Sequence, residues 1–309
     1  MIFCTLSNPA IDFIYPIEAF TAGGTLLNVP SRMYPSGKGI NVAHVVRTLG
    51  EEVCMVGIIP ERDQRRFEAY LEAMDIQRHF ITISGDVRTN VTIIEQKSGM
   101  VSHLNSVGPV VPLRVQEEFI QFAASYFTRG EEWCFSGSIP SGFEDEVYAQ
   151  LIRAGKEAGV STFLDTRGRP LRLGINARPL LIKPNITELE DLFGEQIKGV
   201  RHIALKGKKL LDRGVSFVFI SLGSDGMIAL HDSDCLLCVP PQVKSVDTVG
   251  CGDALMGGLL VAWSRKFSFT EMCRLAVACG ASKVMHEGPH SISRDEVWQL
   301  MEDVKITAV

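Results

Sequence analysis

The stretch Asp247-Thr-Val-Gly-Cys-Gly-Asp253 runs straight into the apolar segment ALMGGLL, so three small residues, Gly250, Cys251 and Gly252, crowd a carboxylate where a helix should start. A glycine-rich turn there exposes backbone N–H groups at the positive end of the helix dipole, where a phosphate or a developing oxyanion binds. A carboxylate is a poor partner for that anion. It is well placed to take a proton from an attacking hydroxyl, so the pattern suits phosphoryl transfer. The same residues also fit a plain turn, with Asp253 as N-cap and Gly257-Gly258 for close helix packing. A second turn, Gly37-Lys38-Gly39, opens onto a helix with Asn41 near its start. It can bind phosphate but lacks the spacing of a P-loop. A third signal, Lys183-Pro184-Asn185-Ile186-Thr187-Glu188, sets Asn and Glu one helical turn apart after a strand. These hard oxygen ligands can hold a magnesium–phosphate unit through water, or Glu188 can be an ordinary first-turn acid.

The elements that would position these residues alternate. Strands are predicted at 1–6, 53–58, 132–136, 161–165, 179–183, 216–221 and 227–231. Helices are predicted at 39–49, 63–74, 114–128, 144–158, 187–193, 203–212, 253–266, 270–286 and 293–303, with Thr187 and Ser293 as N-caps. Such alternation specifies an α/β fold, βαβ units around a mainly parallel sheet. Residues 12–36 and 82–108 break the pattern and read as strands of a small separate sheet, which must cover a ligand or pair with another subunit.

Composition excludes other classes. A chain of 309 residues with 46% hydrophobic and 22% charged residues buries a large core. A net charge of −5 disfavours a nucleic-acid partner. No apolar run reaches the roughly 20 residues of a membrane span, so no membrane partner is expected. No basic segment precedes the N-terminal apolar run, which Asn8-Pro9 breaks, so a cytoplasmic location is expected. The eight cysteines lie mostly in apolar segments and read as reduced thiols, and the single Cys235-x-x-Cys238 lacks a second ligand pair for zinc.

Together, DTVGCGDALMGGLL at 247–260 and PSGKGINVAHVVRTLG at 35–50 resemble the two signatures of the PfkB family of carbohydrate kinases. SNPAID at 7–12, SGSIPSG at 136–142, LIKPNITELEDLFG at 181–194, SLGSDG at 221–226 and AVACGASKV at 276–284 are similar to segments of its sugar-phosphate branch. That branch contains 1-phosphofructokinase, tagatose-6-phosphate kinase and the minor 6-phosphofructokinase. The resemblance spans nearly the whole chain. It implies a ribokinase-like three-layer α/β/α core in a single catalytic domain over 1–309, with a β-sheet lid from about 12–36 and 82–108. It implies Asp253 as general base and Gly250, Cys251 and Gly252 as the anion hole. Asp12, Gly37, Lys38, Asn41, Arg88, Asn90 and Ser138 would bind the sugar phosphate. Asn185 and Glu188 would organise Mg-ATP, with Mg2+ held through water. Ser221, Gly223, Gly226, Val277 and Ala281 would line the nucleotide pocket. A homodimer through the lid and a monovalent cation near Asp247 are further implications.

The expected activity is ATP-dependent phosphorylation of a hydroxyl of fructose 1-phosphate, fructose 6-phosphate or tagatose 6-phosphate. The alternatives are a kinase for an unphosphorylated sugar or nucleoside, and a catalytically silent sugar- or nucleotide-binding regulator. Arg88 is the main argument for a phosphorylated substrate, since a guanidinium grips phosphate bidentately. Three departures from that branch bear on specificity. Asp12 to Ser31 contains no Lys or Arg, His103 stands in place of an acid, and Arg167 follows Leu164-Asp165-Thr166 where a small residue is commoner. Ser36 replaces the first glycine of the usual G-G-K-G.

Overall fold

In the computed structural model, which describes residues 1–288 and 291–309, the alternation becomes a layered α/β fold. Strands β1 (Ile2–Leu6), β2 (Ala10–Ile17) and β3 (Arg32–Ser36) lead into α1 (Lys38–Thr48), β4 (Val53–Pro60), α2 (Gln64–Ala73) and β5 (Gln77–Ile83). Next come β6 (Arg88–Glu95), β7 (Val101–Asn105), α3 (Leu113–Ala124), β8 (Glu132–Ser136), α4 (Val147–Glu157) and β9 (Ser161–Asp165). Then follow α5 (Gly168–Asn176), β10 (Leu181–Ile182), α6 (Ile186–Phe193), α7 (Val200–Leu211) and β11 (Phe217–Ser221). The chain finishes with β12 (Met227–His231), β13 (Asp234–Val239), α8 (Cys251–Ser264), α9 (Phe269–Val284), α10 (Arg294–Asp303) and β14 (Lys305–Ala308).

Ten strands form the main sheet in the order β14-β13-β12-β11-β10-β9-β8-β1-β4-β5. From β5 to β11 all pairs are parallel, and β12 to β14 pair antiparallel at one edge. Parallel strands covered on both faces need apolar side chains on both, and β4, VCMVGIIP, is buried along its whole length. One face packs Ile40, Leu255, Val277 and Val297 from α1, α8, α9 and α10, and the other packs Phe119, Leu151, Ile175 and Ile203 from α3, α4, α5 and α7. Helix α8 is buried without a break from Asp253 to Ala262, as its nearly continuous apolar sequence requires. Among the described residues no helix is long and apolar enough to cross a membrane.

The two irregular stretches supply most of a second sheet, ordered β3-β2-β6-β7. Its central pair, β2 and β6, is parallel with Asp12 opposite Asn90. Residues 82 and 83, expected in this sheet, instead end β5 of the main one.

Four elements were not expected from the sequence. In α5, Gly168, Pro170 and Gly174 blur the helical period, but a proline in the first turn forfeits no hydrogen bond. Polar ends hide β5, β13 and β14. Because Cys235 and Cys238 lie three apart on β13, their side chains point to opposite faces and cannot converge on a metal. The cap of α6 is Asn185, not Thr187. Asp253 is not a cap either: Gly250 holds that position at φ 83°, which favours glycine, and the carboxylate sits one turn inside the helix.

Candidate active site

β1 has β4 on one side and β8 on the other, so the chain's winding reverses direction between β1 and β8. Ligands of open α/β sheets bind at the carboxyl ends of strands at such a point. Here a cavity of about 320 Å³ is lined by Leu6 and Ser7 at the end of β1, Ser136 and Ser138 at the end of β8, and Thr166 and Arg167 after β9. Lys38, Arg88, Asn90 and Glu188 complete its charged and polar wall. The strand ends are tied together beneath it: Tyr148 donates to Ser136 O at 2.9 Å, and its hydroxyl lies 2.7 Å from Ser7 Oγ.

Lys38 is set by its flanking glycines. A Cβ on Gly39 would lie 2.1 Å from Thr5 O, so only glycine lets α1 approach β1 this closely. Ser36 is accommodated without left-handed backbone, as the buried last residue of β3 paired with Ala10. Lys38 Nζ then donates to Asp165 Oδ1 at 2.7 Å, and Lys183 Nζ lies 3.2 Å from Asp165 Oδ2. Both lysines thus converge on one carboxylate that water cannot reach. Burial opposes charge on Asp165, but Lys183 and Lys38 outweigh it and hold its pKa below the usual carboxylate value. Burial likewise opposes charge on Lys38, yet Asp165, Asp253 and Glu188 raise its pKa. Lys38 and Asp165 therefore both stay ionised at neutral pH.

Asp253 faces this pair. Its pKa is pushed up to about 6, first by burial and also by Asp165, while Lys38, Asn41 and Lys183 pull it down. Asn41, from the first turn of α1, donates Nδ2 to Asp253 Oδ2 at 2.6 Å. A carboxylate with that pKa is ionised at neutral pH and still basic enough to take a proton. Beside it, the N–H groups of Gly252 and Asp253 belong to the first turn of α8, where helix geometry provides no intrahelical acceptor. A Cβ on Gly252 would meet Lys183 Nζ at 3.5 Å, so the ammonium adjoins the same spot. Burial pushes the Cys251 thiol up to about 11, so it stays neutral and adds no charge against an anion.

The sugar-side residues meet at the cavity. Arg88 from β6 donates to Asn8 O at 3.4 Å, while its buried Nε has no partner among the described residues. Burial lowers its pKa, Asp12 works against that, and Arg167 adds to it, so the two guanidinium groups feel each other across the cavity. Asn90 donates to Asp12 Oδ1 at 2.7 Å and keeps a buried, unpartnered Oδ1. Asn41 Oδ1 and Ser136 Oγ are also buried without partners among the described residues. Buried polar atoms are normally satisfied, so this concentration marks a place for a polar ligand. Ser138 accepts from Asn8 Nδ2 at 3.0 Å. Asp12, Gly37, Asn41 and Asp253 are not among the residues that line the cavity; Asp12 bears on it through Asn90, and Asn41 binds Asp253 behind Lys38.

Asn185 and Glu188 form a reciprocal cap on α6: Glu188 N donates to Asn185 Oδ1 at 2.8 Å, and Asn185 N to Glu188 Oε2 at 2.9 Å. The remaining predicted residues lie apart from the cavity. Ser221 ends β11 and bridges to Asn185, and Gly223 lies in the turn before β12. A Cβ on Gly226 would strike Cys238 O at 2.0 Å, so hairpin packing also requires glycine there. Val277 and Ala281 are buried one turn apart on α9. Two central residues went unassigned in the sequence reading, Asp165 and Lys183. Their signal was position, since each stands at the carboxyl end of a central parallel strand.

A profile of the pfkB family carbohydrate kinases matches residues 5–296, most of the chain. The chain belongs to this family. Like its other members, this pfkB family kinase is a phosphotransferase with an alcohol group as acceptor. It is 29% identical over 310 residues to a 1-phosphofructokinase of Bacillus subtilis, covering 99% of each chain. It is 27% identical over 312 residues to a tagatose-6-phosphate kinase of Staphylococcus epidermidis, covering 100% of each. Among solved structures, phosphofructokinase-2 from Escherichia coli, in complex with potassium, superposes with a TM-score of 0.91 at 23% identity, covering 98% of each chain. That likeness bears out the ribokinase-like α/β fold.

Proposed function

We propose that the protein transfers the γ-phosphoryl group of ATP to a hydroxyl of a phosphorylated ketohexose, of the class that includes fructose 1-phosphate, fructose 6-phosphate and tagatose 6-phosphate. The observation that carries the phosphorylated substrate is Arg88, a half-buried guanidinium with an unpartnered Nε at the cavity wall. Arg167 faces it from the end of β9 and supplies a second positive charge where the segment from Asp12 to Ser31 has none. Two cations that repel each other across one cavity are relieved by a dianion between them. The names of the two relatives support the same substrate class.

In this reading the sugar hydroxyl lies against Asp253, which takes its proton as the oxygen attacks the γ-phosphorus. The new O–P bond forms as the bond to the bridging oxygen of ADP breaks. Negative charge on the transferring group meets the N–H groups of Gly252 and Asp253 and the ammonium of Lys183. Lys38, held by Asp165, keeps Asp253 ionised and offers its charge to the phosphates. Mg2+ arriving with the nucleotide would neutralise phosphate charge. Asn185 Oδ1 and Glu188 Oε2 are committed to the helix cap, so these residues suit contact with the ion through water. Ser221, Gly223 and Gly226, at and just after the carboxyl end of β11, and Val277 and Ala281, on α9, would line the nucleotide pocket in this reading.

The second sheet acts as a lid and as the contact of a homodimer. Met33, Val101 and Leu104 expose apolar surface on its strands, and Phe20, Leu26 and Leu27 do so on the loop that joins β2 to β3. Steady-state kinetics of Arg88→Ala test the assignment. The substrate's KM should rise about 10- to 100-fold, the worth of a charged hydrogen bond, with the KM for ATP unchanged. An unchanged KM for the sugar phosphate would favour an unphosphorylated acceptor.

A further inference from the structure

A lysine in the last turn of a helix ordinarily holds its ammonium in water, where it screens the terminal carbonyls. Lys283, in the last turn of α9, is fully buried. Its Nζ donates to Asp247 O at 3.2 Å and to His286 O at 3.1 Å, and lies 3.5 Å from Asp247 Oδ2. An ammonium has three N–H donors, and three oxygens receive them. Two are backbone carbonyls and one is a carboxylate, a donor set that suits any hard monovalent cation.

The cradle belongs to the turn that presents the anion hole. Asp247 Oδ1 accepts from Val249 N at 2.9 Å, and Asp247 Oδ2 accepts from Gly288 N at 3.1 Å. Val246 N and Asp247 N both donate to Val284 O, at 2.7 and 3.2 Å. Cys251 Sγ lies 3.9 Å from Asp247 O, the same carbonyl that Lys283 grips. The ammonium therefore fixes the backbone from 247 to 251, which leads directly into the N–H groups of Gly252 and Asp253. A potassium ion placed among these oxygens would collide with Nζ and bring a second positive charge into a site with one carboxylate. The residues present do not fit an added monovalent cation.

We propose that Lys283 is a positioning residue that serves as a tethered internal cation, so that this kinase, unlike a protein that binds potassium, needs no added alkali cation. The proposal rests on reading the turn before Asp253 as the anion hole. It leaves open the identity of the sugar, so any acceptor that is turned over, including water, can report it.

The test compares the full-length protein in potassium, sodium and tetramethylammonium chloride at one ionic strength, by turnover and by thermal midpoint. The native protein should show the same kcat and the same midpoint in all three, because a ligand without a site cannot shift stability. Lys283→Ala should lose about 100-fold in kcat through misplacement of the anion hole, with KM for the acceptor little changed. Potassium or ammonium should then restore part of that kcat and raise the midpoint of the variant alone. A native enzyme activated or stabilised by potassium over tetramethylammonium would overturn the proposal. So would a folded Lys283→Ala variant that keeps full activity in tetramethylammonium. If the variant does not fold, the comparison on the native protein decides the matter. Because the midpoint needs no substrate, failure of this proposal is distinct from failure of the sugar-phosphate assignment.

Discussion

Asn41 Nδ2 and Asp253 Oδ2 lie 2.6 Å apart, so a single hydrogen bond joins the helices that carry the two signature sequences, across 212 residues of chain. It explains why an amide is needed in the first turn of α1. The donor both orients the carboxylate and favours its ionised form. Asn41→Leu should therefore cost roughly 10- to 100-fold in kcat and move the acid limb of the pH profile upward, while Asn41→Asp should be worse because it sets two carboxylates together. A pH–rate series on both variants checks this.

The raised pKa of Asp253 is also a statement about stability. Its folded value of about 6 lies above the 3.8 of an ordinary aspartate, so the buried charge weakens the native state. That penalty is absent below the unfolded pKa, grows as pH rises between the two values, and is complete above the folded one. Asp253→Asn should thus abolish turnover yet stabilise the fold at pH 8, by on the order of 3 kcal/mol at most, and so raise the thermal midpoint there, with the gain vanishing near pH 4. Calorimetry at the two pH values distinguishes this from an ordinary destabilising substitution, which would lower both midpoints.

Lys38 pulls the pKa of Asp253 down and is itself held by Asp165. Removing its charge in Lys38→Met should shift the acid limb of kcat/KM from about 6 to higher pH and lower kcat as well. An unshifted limb would mean that Asp253 is not the group that titrates in catalysis.

Arg88 and Arg167 face one cavity, so their substitutions should not add. In a double-mutant cycle of Arg88→Ala and Arg167→Ala, a coupling of about 0.5–3 kcal/mol in kcat/KM is expected for a sugar phosphate. For an unphosphorylated acceptor no coupling should appear, because no shared anion links the two residues.

Much of this arrangement was legible in the sequence, and the rest was hidden for physical reasons. The turn before Asp253 and the Gly37-Lys38-Gly39 turn announce themselves because close approach demands small residues, as the 2.1 Å that a Cβ on Gly39 would leave to Thr5 O shows. The parallel strands show as apolar runs because both of their faces are covered. Asp165 and Lys183 did not stand out. Neither lies in a glycine-rich turn, and only the side-by-side pairing of β9 and β10 brings them together. Lys283 was hidden for a related reason: on a helix the pattern of a lysine in the last turn is the same whether its ammonium meets water or a buried carboxylate. Arg167 was visible only as a departure, and its meaning depended on the position of Arg88 in a different sheet. The mistaken cap at Thr187 came from preferring a hydroxyl to the nearby amide, whereas the reciprocal bonds of Asn185 and Glu188 satisfy two backbone donors at once.

The most direct test of the central claim is ATP turnover by the purified protein against fructose 1-phosphate, fructose 6-phosphate, tagatose 6-phosphate, fructose, ribose and a nucleoside, with Asp253→Asn as the blank. Turnover of a phosphorylated ketohexose that disappears in the variant is the predicted result. Turnover confined to the unphosphorylated compounds, or turnover that survives Asp253→Asn, would contradict it.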